Sequence, residues 1–110
     1  MSASGDPTTL LTTELQGIEG MEVNIVLFEE EPGKVFGRHI HPGNLFVYVL
    51  DGSLRVEIEG QEPREAKAGE VIHEVPDKPM VASVTGEEGV RFVVFQIGPI
   101  GEPIMVSQPE

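Results

Sequence analysis

Two histidines one residue apart, His39 and His41, open the stretch HIHPGNLFVYVLDG. In an extended chain residues i and i+2 share a face, so both imidazoles project the same way, one pleat apart. Two ring nitrogens so placed can hold one divalent ion at about 2.0–2.1 Å each. The pair is half of a metal site, and the other half must come from elsewhere in the chain. There is no cysteine, which removes thiolate ligands, disulfides and cysteine nucleophiles together. The remaining imidazole is His73, in the run EVIHEV. Parity in so short a run leaves its face open. If His73 points inward, a three-histidine set like those of zinc and non-haem iron sites results, and Glu74 beside it faces the opposite side. Other catalytic devices are missing: no glycine-rich phosphate loop is present, and Ser53, Ser83 and Ser107 have no base beside them in a known motif.

The elements that must position these rings are strands. Leu54, Val56 and Ile58 alternate with Arg55, Glu57 and Glu59, the pattern of a strand with one wet face. Predominantly apolar runs of strand length occupy residues 23–28, 45–50 and 92–97. Turn signals separate them at Pro32-Gly33, Pro42-Gly43, Asp51-Gly52, Gly60-Gln61, Ala68-Gly69 and Pro76-Asp77. Asp51-Gly52 between two strand patterns predicts a two-residue hairpin, a turn that needs positive φ at both positions. No window of helical period is free of glycine or proline. Short strands joined by tight turns predict an all-β antiparallel sandwich or closed barrel. In residues 45–50 both faces are apolar, so both need cover. One face fills the barrel; a homodimer or the chain's own terminal segments cover the other.

The 110 residues form one domain over residues 10–110, after a loose tail at residues 1–9. A formal charge of −12 repels phosphate backbones and anionic lipid, which excludes nucleic-acid and membrane partners. The acidic run Glu29-Glu30-Glu31 reads as a solvated loop. No apolar stretch approaches the ~20 residues of a membrane span, and MSASGDPTT lacks the basic and hydrophobic regions of a secretory signal. A cytoplasmic protein is expected.

The spacing around the histidines resembles the first motif of a small single-domain cupin. Gly33 is followed by five residues, then His39-Ile40-His41, then Pro42-Gly43-Asn44, then Leu45, then six residues to Gly52. The resemblance extends over roughly residues 20–98. It implies a jelly-roll β-barrel holding a divalent transition metal (Fe, Mn, Ni, Zn or Cu) or a small ligand. The departures are chemical. Leu45 stands at the family's glutamate ligand and Met80 at its last histidine ligand. In the second motif Gly69 fits, while Val75, Asp77 and Val84 replace the proline, glycine and asparagine, with Pro76 one residue late. The candidate ligands are therefore His39, His41, Met80 and His73. Two imidazoles and a thioether favour copper, especially Cu(I), although methionine equally fills irregular apolar gaps. Leu45, Val47, Val49 and Phe95 are the candidate pocket residues. Two functions follow: a metal-dependent enzyme, such as an oxygenase or isomerase acting on a small molecule, or a non-catalytic ligand-binding or regulatory barrel whose metal site is partly lost and holds none.

Overall fold

The computed structural model describes residues 7–109. Ten strands follow in chain order: β1 (Thr8–Glu14), β2 (Met21–Glu30), β3 (Val35–Ile40), β4 (Asn44–Asp51), β5 (Ser53–Ile58), β6 (Arg64–Lys67), β7 (Val71–Glu74), β8 (Met80–Thr85), β9 (Val90–Pro99) and β10 (Val106–Ser107). Thr8 and Thr9 belong to β1, and residues 1–6 of the expected tail lie outside the described residues. No helix among the described residues is long and apolar enough to cross a membrane.

Two five-stranded antiparallel sheets face each other, in the orders β1-β2-β9-β4-β7 and β10-β3-β8-β5-β6. Successive strands repeatedly change sheet, the connectivity of a jelly roll. This corrects the expected hairpin at Asp51-Gly52. β4 pairs with β7 and β9, whereas β5 pairs with β6 and β8. Gly52, at φ 81°, is a corner that carries the chain between sheets, and Asp51 keeps its φ negative. A Cβ on Gly52 would lie 2.1 Å from the Gly89 carbonyl oxygen, so the corner packs tightly on the next crossing.

Alternation decides what fills the interior. Leu54, Val56 and Ile58 are buried while Arg55 and Glu57 are exposed; on β9, Phe92 and Val94 are buried and Arg91 is not. Phe28 and Phe92 are cross-strand partners with stacked rings 5.0 Å apart, and Phe36 meets both edge-on at 6.0 and 6.2 Å. Burying rings of this size contributes about 1.5–3 kcal/mol each. The Glu29-Glu30-Glu31 run is not simply a solvated loop. Glu29 and Glu30 finish β2, with Glu30 buried and Glu29 paired to Arg91 at 2.9 Å; Glu31 follows the strand.

Candidate metal centre

β3 delivers His39 and Ile40, and the chain leaves the strand at His41. Both histidines are buried, on the interior side that the period of two requires. The following Pro42-Gly43 is pinned against β9: a Cβ on Gly43 would lie 2.3 Å from the Ile97 carbonyl oxygen and 2.7 Å from Gly98 Cα. Only glycine allows that approach, and it fixes where the loop carrying His41 can sit.

Each ring is held from behind. His39 Nδ1 hydrogen-bonds the Gly37 carbonyl oxygen, and His41 Nδ1 hydrogen-bonds the Ile104 carbonyl oxygen at 2.8 Å. A carbonyl can only accept, so in the neutral rings each Nδ1 carries the proton and each Nε2 keeps its lone pair. This is the arrangement that orients ligating imidazoles in metal sites. Desolvation pushes the His39 imidazole below its ordinary pKa, the bond to Gly37 works against it, and the nearby His41 adds to the depression. The neutral, ligating form is favoured.

The third donor is Glu74. In β7, Val71 and His73 are exposed while Ile72 and Glu74 are buried. Glu74 Oε1 lies 2.8 Å from His41 Nε2, with both side chains 5% exposed. Close as it is, the contact lacks hydrogen-bond geometry, and His41 Nε2 is a buried nitrogen with no hydrogen-bond partner. One donor atom from each of His39, His41 and Glu74 falls within 4.8 Å of the others. Two imidazoles, one with an orphaned Nε2, and a carboxylate form a donor set that fits a divalent transition metal.

Local backbone geometry brings Glu74 to His41. Past β7 the chain turns at Asp77, whose φ of 61° is the left-handed conformation that glycine usually provides. The Asp77 amide then donates to the His41 carbonyl oxygen at 3.0 Å.

Beside the donors lies a cavity of about 40 Å³. Phe28, Phe36, Phe92, Leu45 and Val47 line it, and Ile104 and Met105 of the C-terminal segment close one side. Of the pocket residues expected from the sequence, Leu45 and Val47 reach the cavity. Val49 is buried in the core outside its lining. Phe95 is 40% exposed, because on β9 it is Phe92, Val94 and Gln96 that face inward. His73 is also outside: its ring stacks on Phe46, centroids 4.6 Å apart, and its Nε2 bonds Asn44 Oδ1 at 2.9 Å. Met80 is buried in register with His39, but the methionine that lines the cavity is Met105. Reasoning from sequence missed Glu74 and Met105. Strand parity was the one signal for Glu74, since it must face oppositely to His73; nothing local marked Met105.

A family model described as "Cupin domain" matches residues 26–96. No curated protein matches the sequence. Among solved structures, a protein with a double-stranded β-helix domain from Klebsiella pneumoniae superposes with a TM-score of 0.71 at 21% identity, covering 96% of this chain and 87% of that one. A cupin-like protein from Thermotoga maritima gives 0.69 at 21% identity, over 94% and 75%. The DMSP lyase DddQ of Ruegeria pomeroyi gives 0.70 at 18% identity, over 94% of this chain and 51% of the lyase.

Proposed function

Because this chain belongs to the cupin family, we propose that it binds one divalent transition metal through His39, His41 and Glu74 and takes a small molecule into the cavity beside them. The carrying observation is His41 Nε2, a buried nitrogen with no hydrogen-bond partner, 2.8 Å from the Glu74 carboxylate. Burial of the His41 nitrogen without a hydrogen-bond partner is costly, and a cation between it and the Glu74 carboxylate would relieve that cost.

The chain's own residues have distinct parts. Gly37 and Ile104 carbonyls fix the ring orientation, Glu74 supplies the anionic charge, and aromatic and aliphatic side chains give the cavity an apolar lining. When bound, the metal would supply Lewis-acid polarisation or, with iron, the oxygen chemistry of two-histidine, one-carboxylate sites. Oxygenase or isomerase chemistry on a small molecule is the reaction class this donor set serves. The DMSP lyase of similar fold supports an enzymatic reading. Elemental analysis of untagged protein is the test. Bound transition metal is expected, lost in His39→Ala with His41→Ala; a metal-free chain that cannot be loaded with Fe, Mn, Ni, Zn or Cu overturns the reading.

A second reading has one observation behind it. Leu45 brings hydrocarbon into the cavity where the family's carboxylate ligand stands, which suits a non-catalytic barrel for a small apolar ligand.

We also propose that two copies pair through the outer face of the β1-β2-β9-β4-β7 sheet. One row across it reads His73, Phe46, Phe95, Ile25, Leu11; the next reads Val71, Tyr48, Val93, Leu27, Thr8. Neither row holds an acid or a permanent cation. On a chain of charge −12, these two rows are a patch free of carboxylates, Glu29 and Asp51 of the next row being paired to Arg91, and apolar patches of this kind mark interfaces.

A further inference from the structure

The C-terminal segment, residues 103–108, touches the metal centre at several points. The Ile104 carbonyl holds His41 Nδ1, Val106 and Ser107 pair with Ile40 and His39, and the Gln108 amide donates to the Arg38 carbonyl at 2.9 Å. Its ladder is only two residues long, the shortest in the fold as described. Ile104 also packs against the core, and a further tie is a polar side chain. Gln96, 1% exposed in the interior, donates from Nε2 to the Pro103 carbonyl at 3.1 Å, while its Oε1 has no partner.

Space makes the same segment a doorway. A cavity of about 40 Å³ has room for no more than a few waters, too little for an organic molecule. Outside it lies an open groove of about 320 Å³, bordered by Lys34 and Arg38, and the two share Phe36, His39 and Met105. Moving Met105 outward joins them. The other shared walls belong to β3, which is paired along β8. The segment departs from a turn at Gly101, φ 87°, a conformation suited to a pivot.

We infer that residues 103–108 are a gate over the metal centre, latched by Gln96, which in its closed position orients His41 and in its open position admits the small-molecule ligand. Gln96 is thus a positioning residue that acts on His41 through the gate. The inference rests on the metal-binding reading for its purpose but not for its mechanics. By linkage, a metal that binds the closed form better must hold the gate closed by the same factor.

The experiment is amide hydrogen exchange on the full chain, read at Gln108, with Val49 as the control because its amide is bonded within the barrel to the Glu70 carbonyl. Gln96→Leu should speed exchange at Gln108 about tenfold and leave Val49 unchanged, the signature of local rather than global opening. The ¹⁵N shifts of the His41 ring should move from one fixed tautomer toward an average of two, which a merely structural loss elsewhere would not produce. Should Gln96→Leu fail to fold, Gln96→Met offers a linear side chain without the donor. Added Zn²⁺ should slow exchange at Gln108 in the unaltered protein and bind about tenfold more weakly to the variant, the usual cost of losing ligand support. Unchanged Gln108 exchange and an unchanged His41 tautomer overturn the gate. A chain that binds no Zn²⁺ overturns the metal reading instead, and the two metal-free readouts still decide the latch.

Discussion

Leu45 and Glu74 are direct partners across the β4–β7 ladder, both buried, with the Glu74 carboxylate 2.8 Å from His41 Nε2. Directly opposed residues on one face of an antiparallel pair sit about 4.5–5.5 Å apart. The acid missing from position 45 is therefore present one strand away, on the same interior row. Exchanging the two side chains tests this. Glu74→Gln should weaken Zn²⁺ binding about 10–100-fold. The double variant Leu45→Glu, Glu74→Leu should recover most of the loss by isothermal titration, and Glu74→Leu alone should not.

Met80 is expected to have little to do with the metal. It lies in register with His39 but does not line the cavity. Met80→Leu should leave Zn²⁺ and Cu(I) affinities within about twofold and cost under about 1.5 kcal/mol, as volume-conserving core exchanges do. A tenfold loss of Cu(I) affinity would restore the thioether as a ligand.

The metal-free protein should lose stability in mild acid. Burial lowers the His39 pKa from the ordinary 6.5. The unfolded chain then binds the proton more readily than the folded one. The contribution of neutral His39 is complete above about pH 6.5 and is lost as pH falls from there toward the depressed folded value. Thermal melts of metal-free protein between pH 7.5 and 5.5 should show this drop, smaller in His39→Asn. Equal slopes would count against it.

The pairing of two copies should respond to one charge. Phe95 is 40% exposed at the centre of the apolar face, bordered by Phe46 and Ile25 in register. In sedimentation equilibrium the unaltered chain should run as a dimer and Phe95→Glu as a monomer with its melting temperature little altered. A monomeric unaltered chain rejects the interface.

The strands and the shared face of His39 and His41 were legible because a period of two is written into side-chain polarity, and the jelly-roll class because the spacing around the histidines resembles the cupin motif. What escaped was parity in short segments. β7 is four residues long, Val71–Glu74, and in such a run a shift of one residue trades His73 for Glu74. Asp51-Gly52 misled for another reason: a glycine at positive φ serves a sheet-to-sheet corner as well as a hairpin, and only long-range pairing tells them apart. Met105 joins the cavity through a two-residue ladder distant in sequence, which no local pattern records.

The amide of Asp77, bound to the carbonyl of His41 at 3.0 Å, ties two chain reversals into a single clasp. His41 and Glu74 hang from opposite sides of that clasp. This tie between two backbones bypasses residues 103–108, so one link within the donor set does not depend on the C-terminal segment.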